Sequence, residues 1–266
     1  MTIPEKSKIE EIVEKSGNNF HSRVVNLLRS DGRTVLVSPF YSDNLTDKPR
    51  EIDIIAEKKF NVKDYGHWFG TVNVRLFIEC KYINDDIVFW FDAKDRERAK
   101  ERIMTDMKMK PNEANIQRFH YFSNTPVAKM FASKRGGEYD VISKAINQNL
   151  NAMVYYRHKS NLFPPKPSLR EKILCLVPYP LIVCNSFDDL HQIDMVDESN
   201  SAKTISDPFQ VEVNYAYMDK DKNSQNEYFL IDVVSIDKLS NFLSVLEKTD
   251  IEELERKIEL DEITKQ

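Results

Sequence analysis

The chain has 266 residues, 41% of them hydrophobic and 30% charged, with a net charge of −5. That is enough for one large domain or two small ones in a soluble globular protein. No apolar run is long enough to cross a bilayer, and Met1–Lys6 contain no signal-peptide core. The acidic balance argues against a protein that coats nucleic acid without specificity. It does not argue against one that cleaves it, because such a site is itself acidic before its metal arrives.

Residues Glu5 to Arg29 read as helix, with Ile9, Ile12 and Val13 on one apolar stripe and Phe20, Val24, Leu27 and Leu28 on a second. Ser16-Gly17-Asn18-Asn19 between them is a break or the N-cap of a second helix, and Asp31-Gly32 ends the segment. Thr34 to Tyr41 reads as the first strand of a sheet. Ser42 to Arg50 is a polar loop in which Pro49 fixes the approach to the next strand.

That next strand is Glu51 to Ala56, and another follows at Val72 to Tyr82. Both are rich in β-branched and aromatic residues, yet each carries acid where a buried strand would carry an apolar residue. The intervening loop, Phe60 to Gly70, holds His67-Trp68-Phe69, which reads as a cluster pinning a long hairpin onto the core. Side chains alternate faces along a strand. Glu79 and Lys81 therefore point to one side, and Ile78, Cys80 and Tyr82 to the other. Asp53 is out of phase with Ile52 and Ile54. If the two strands are neighbours, Asp53 and Glu79 can converge on one point with Lys81 beside them. Two converging carboxylates repel unless a cation or a proton lies between them. Hard divalent cations such as Mg²⁺ take oxygen ligands, typically one or two carboxylates with water and a substrate phosphate. A lysine beside such a site can hold a water or stabilise charge developing on phosphorus.

At these residues the chain resembles the PD-(D/E)XK nuclease superfamily. The pattern stands here as Pro49-Arg50-Glu51-Ile52-Asp53 and Glu79-Cys80-Lys81, with the proline four residues before the aspartate rather than against it. The resemblance covers residues 1–160. It implies a restriction-endonuclease-like fold, a mixed central sheet flanked by helices. It also implies a metal-dependent phosphodiesterase, with Asp53 and Glu79 as ligands of Mg²⁺ or Mn²⁺ and Lys81 as the third catalytic residue. In that family the first helix often supplies one more acid, as Gly-X-X-Phe followed by Glu. Here Gly17-Asn18-Asn19-Phe20 is followed by His21. Either the extra ligand is absent, or His21 binds at the edge of the site, or Glu14 takes the place two turns earlier. A continuous helix would put Glu14 and His21 on one face.

Asp86 to Phe91 reads as a further strand, apolar after its first residue and hence well covered. Asp92 to Lys110 has strong helical propensity and is the most basic stretch, with Lys94, Arg96, Arg98, Lys100, Arg102, Lys108 and Lys110. It is either the face that contacts phosphates or a solvated face paired with its interleaved acids. Ile116 to Asn124 reads as a helix end running into a strand, with turn chemistry at Ser123-Asn124-Thr125-Pro126. Asp140 to Tyr155 reads as a helix facing inward through Val141, Ile142, Ala145, Ile146 and Leu150. His120 and His158 are isolated and read as packing or surface residues.

Ser160 to Ser168, with Pro164, Pro165 and Pro167, is the linker candidate. After it Lys172–Val177, Leu181–Cys184, Phe209–Tyr217 and Tyr228–Val234 read as strands, with a hairpin tip at Asp219–Ser224. Helices are expected at Ile236–Leu246 and Ile251–Leu260. The three cysteines, Cys80, Cys175 and Cys184, lie at no metal-ligand spacing, and their odd number fits a reducing cytoplasm. Each reads as a small buried hydrophobe.

The expectation is thus an α/β protein with a nuclease-like core over residues 1–160 and a β-rich α+β extension over 169–266. The extension either continues the nuclease sheet or is a separate module. The expected function is metal-dependent hydrolysis of nucleic-acid phosphodiesters, DNA before RNA because the family resembled mostly cuts DNA. No membrane partner is expected, and a homodimer is compatible with this reading. The alternative is a catalytically inactive module of the same fold that binds protein or nucleic acid.

Overall fold

The computed structural model describes residues 8–10, 17–64, 67–107, 118–134, 140–157, 159, 162–163, 172–196 and 201–263. Helix α1 (Asn18–Ser30) buries Phe20, Val24, Val25 and Leu28, a stripe with the helical period. Gly17 before it and Gly32 after it have φ of +70° and +81°, a left-handed backbone that suits glycine.

Three strands follow in an antiparallel meander: β1 (Thr34–Val37), β4 (Ile54–Asp64) and β5 (His67–Lys81). Between β1 and β4 a small ribbon forms from β2 (Phe40–Ser42) and β3 (Pro49–Glu51). The expected strand Thr34–Tyr41 is therefore two, broken where Ser38 takes a φ of +53° ahead of Pro39. The expected loop Phe60–Gly70 is instead the outer end of the β4–β5 hairpin. Lys59-Phe60-Asn61-Val62-Lys63 hides a strand alternation, with Val62 buried and Asn61 exposed. The side chains of residues 63–69, including the His67-Trp68-Phe69 cluster, lie outside the described residues.

The chain continues through β6 (Ile87–Asp92), α2 (Arg96–Asp106), a single 3₁₀ turn at His120–Phe122, β7 (Val127–Ser133) and α3 (Val141–Tyr156). The strand expected to end the segment Ile116–Asn124 begins only after Pro126. Asp140 caps α3 by accepting from the backbone N–H groups of Ile142 and Ser143. Then come β8 (Ile173–Cys184), β9 (Leu190–Asp194), β10 (Lys203–Thr204), β11 (Phe209–Met218), β12 (Ser224–Ser235), α4 (Leu239–Leu246) and α5 (Glu252–Ile263).

Ten strands form one mixed sheet in the order β1–β4–β5–β8–β12–β11–β7–β6–β9–β10. The fold is α/β, with α1, α2, α4 and α5 packed on one face and α3 on the other. Of the strands after residue 169, only β9 and β10 are added at an edge. β8, β12 and β11 are inserted between β5 and β7. The buried runs that end β8 and β12 fit this, since a strand covered on both faces buries successive residues. Most of the linker candidate Ser160–Ser168 lies outside the described residues.

β8 runs straight through Pro178 and Pro180, where a break was expected because proline cannot donate to a ladder. Its parallel pairing with β5 is continuous from Val72↔Cys175 to Lys81↔Cys184. Pairing with β12 begins only at Leu181↔Asp232. The sheet thus forks on the side where two same-phase positions have no N–H to give. A small cavity beside the two prolines is lined by side chains, among them Arg102, Asp106, Tyr121, Met153 and Phe229. Arg102 pairs with Asp106 at 2.5 Å, and Arg157 pairs with Glu227 at 2.9 Å. Among the described residues no helix is long and apolar enough to cross a membrane.

Candidate metal centre

Antiparallel pairing of β4 and β5 in the register Ile54↔Ile78 sets Asp53, the residue just before β4, across from Glu79 at the end of the ladder. Alternation along β5 puts Ile78 and Cys80 in the core under α1, and Phe77 in the core under α3. Glu79 and Lys81 share the phase of Phe77. The chain's two β-branched, acid-bearing strands are therefore true neighbours.

Glu79 is fully buried. Lys81 Nζ lies 2.6 Å from Glu79 Oε2 and donates also to Gln148 Oε1 of α3 at 3.2 Å. Glu79 Oε1 has no hydrogen-bond partner among the described residues. Burial pushes the Glu79 carboxyl up to about 8; the Lys81 ammonium opposes this and the Asp53 charge adds to it. The carboxyl thus holds its proton near neutrality unless a further positive charge arrives.

Asp53 faces a different set of neighbours. Its Oδ2 accepts the backbone N–H of Cys80 at 2.8 Å and lies 3.6 Å from His21 Nε2 of α1. One ligand atom each from His21, Asp53 and Cys80 all lie within 4.8 Å of one another. Two small groups therefore meet at the end of this ladder. Glu79, Lys81 and Gln148 form one, and Asp53, His21 and Cys80 the other. Glu14 lies outside the described residues.

The residues suit a divalent cation on two counts. A buried carboxylate oxygen has no partner, and a second carboxylate stands across one ladder step, an oxygen-rich set of the kind hard cations take. Gln148 was not expected from the sequence. It sits between the buried Ala145, Ile146 and Asn149 on α3, and its signal was a polar residue within that apolar face. Beside it the Asn149 amide donates to the carbonyl oxygens of Phe77 and Leu181 at 2.7 and 2.9 Å. This fixes α3 over β5 and β8.

Lys108 and Lys110 of the basic stretch lie outside the described residues, and four of its other charges make contacts of their own even where, as at Arg96 and Arg98, they are exposed. Lys94 is buried and donates to Ser123 Oγ, and Arg96 Nε donates to the Phe122 carbonyl. Arg98 stacks over Tyr228, and Arg102 is the buried partner of Asp106. Helix α2 packs on β8 and β12 rather than on β4.

His120 is no isolated surface residue. Its ring nitrogens lie 2.5 Å from Asp250 Oδ2 and 3.1 Å from Asp232 Oδ2, with Tyr179 and Tyr121 hydroxyls donating to the same two carboxylates. Burial favours neutral imidazole, but the two aspartates outweigh it and raise His120 to about 10. This network ties the turn before β7 to β12 and to the start of α5.

Neither a family model, nor a curated protein, nor a solved structure matches the chain.

Proposed function

We propose that the protein is a metal-dependent nuclease that hydrolyses phosphodiester bonds of nucleic acid, DNA before RNA, on a restriction-endonuclease-like core. The observation that carries the reading is the buried Glu79 carboxyl. One of its oxygens is unpartnered, the other lies 2.6 Å from Lys81, and Asp53 stands across the ladder. The order of α1, the meander β1–β4–β5, α3 and the parallel strand β8 supports the same reading, because it sets the acid and the Glu-X-Lys triplet on adjacent strands.

In this reading Asp53 and Glu79 hold Mg²⁺ or Mn²⁺. When bound, such a cation polarises the phosphoryl oxygen and takes up charge on the leaving oxygen. Glu79 gives up its proton to bind, which the raised proton affinity makes pH-dependent. Lys81, held by Glu79 and Gln148, orients the attacking water or stabilises the charge that develops on phosphorus.

The test is incubation with plasmid and with single- and double-stranded oligonucleotides in Mg²⁺ or Mn²⁺, alongside Asp53→Ala and Lys81→Ala. Metal-dependent cleavage lost in both folded variants supports the proposal. Absence of cleavage on every DNA and RNA substrate overturns it. Binding without cleavage, unchanged in the two variants, favours the alternative of a non-catalytic interaction module.

A further inference from the structure

Two residues next to Asp53 have no part in the hydrolysis proposed above. His21 stands where α1 reaches the end of the β4–β5 ladder, held there by its buried neighbours Phe20, Val24 and Val25. Cys80 lies between Glu79 and Lys81, and strand alternation turns its side chain to the α1 side of the sheet, away from theirs. The sequence places these residues 59 positions apart, and the fold brings both to one carboxylate.

Their donor atoms form a set that magnesium does not take. Mg²⁺ prefers oxygen throughout, whereas an imidazole, a carboxylate and a thiolate together suit Zn²⁺ and Co²⁺. A tetrahedral cation with bonds of about 2.0–2.3 Å needs its donors roughly 3.3–3.8 Å apart. His21 Nε2 and Asp53 Oδ2 already lie 3.6 Å apart, and Cys80 Sγ completes a trio within 4.8 Å. The His21 and Asp53 side chains are 31% and 19% exposed, which leaves a path from solvent, while the cysteine forms the closed inner wall at 5%.

We propose that His21 Nε2, the Asp53 carboxylate and Cys80 Sγ bind a transition cation of the Zn²⁺ and Co²⁺ class, with the fourth position open toward solvent. The proposal rests on the nuclease reading only in taking Asp53 as a metal ligand. Binding is written as Cys80–SH plus M²⁺ giving the Cys80–S–M⁺ thiolate complex plus one proton released to solvent, with no change of oxidation state.

The test uses the full chain, treated with chelator and titrated with Co²⁺. The expected result is one equivalent of Co²⁺ bound with a thiolate-to-cobalt charge-transfer band, abolished by stoichiometric Zn²⁺ but not by excess Mg²⁺. Cys80→Ser removes the band. His21→Gln keeps it but weakens Co²⁺ binding by at least roughly tenfold, since even groups outside the ligand set cost about 10–100-fold. Thermal melts of both variants verify that they fold. A titration without the band overturns the proposal, as does a band that persists in Cys80→Ser and so belongs to Cys175 or Cys184. Cleavage is assayed separately. A Cys80-dependent band in a protein that cleaves nothing keeps this inference and removes the nuclease reading. Mg²⁺-dependent cleavage by a protein without the band does the reverse.

Discussion

Replacing Glu79 with glutamine should stabilise the protein, and most strongly above neutral pH. The carboxyl is fully buried and its proton affinity is raised from the ordinary 4.5 to about 8. An unfolded chain releases this proton near pH 4.5, while the folded chain keeps it until about pH 8. Stability linked to the group is therefore complete below the unfolded value and is lost as pH rises through the folded one. Carried across that window, the loss is on the order of 4–5 kcal/mol, at about 1.4 kcal/mol for each tenfold change in proton affinity. Glutamine has no proton to lose and still offers Lys81 an acceptor, so Glu79→Gln should lie about 2–4 kcal/mol above the parent at pH 8. For a chain of this size that corresponds to roughly 5–10 °C in Tm. The assay is urea unfolding of both proteins from pH 5 to 9 in chelator. The parent should lose stability with pH while the variant stays flatter, and saturating Mn²⁺ should flatten the parent alone. Parallel slopes, or a variant less stable than its parent at pH 8, would refute the account of Glu79 as a group strained by burial.

Three further outcomes follow from the packing. His120→Gln removes the only cation held between Asp232 and Asp250 among the described residues, and should cost about 3–5 kcal/mol in denaturant unfolding. Because His120 is raised to about 10, its contribution is complete below pH 6.5 and lost as pH rises through about 10, so the parent and His120→Gln should converge in alkaline melts. Arg75, 1% exposed, pairs with Glu57 at 2.7 Å and donates to the Tyr156 and Lys159 carbonyls behind α3. Arg75→Met should cost about 3–5 kcal/mol, and Arg75→Met with Glu57→Leu should recover much of it, because the second change removes the stranded charge. A methyl group at Gly70 would meet Leu174 Cγ at 2.5 Å and the Lys172 carbonyl at 2.7 Å, so Gly70→Ala should destabilise by about 1–3 kcal/mol in thermal melts.

The parts of this architecture written in local periodicity were legible from the residues. The apolar stripes of α1 and α3 and the strand through Glu79 lie close to where the pattern put them, whereas the expected strand Glu51–Ala56 breaks at Ile52 and Asp53, between β3 and β4. Long-range facts were not. Pro178 and Pro180 read as a break because a ladder was assumed on both sides of β8, and only the fork toward β12 removes that requirement. Lys59 to Lys63 carries a valid strand alternation, but its many polar residues and the following Gly66 and Gly70 made it read as loop. β9 and β10 are too short to stand out from their polar surroundings. His120 gives no local signal at all, since its partners lie 112 and 130 residues away. At the site, the common face of Glu79 and Lys81 was readable from alternation, whereas Asp53 stands at a bend and turns its carboxylate to His21 and the Cys80 N–H, and Gln148 comes from a distant helix. The convergence of His21 and Cys80 on Asp53 depends on how α1 crosses the end of the ladder, which no spacing encodes.

The insertion of β8 between β5 and β12 sets a timetable for the growing polypeptide. When residue 160 leaves the ribosome, Asp53, Glu79 and Lys81 have all been made, yet β5 still presents a bare row of amide and carbonyl groups along one side. That row is satisfied only after residues 173–184 emerge, and their own outer side waits for residues 232–235. The residues of the candidate metal centre are thus synthesised early, and the sheet around them is closed late. A fragment ending at 160 should expose an adhesive margin and aggregate, as unpaired strand edges do.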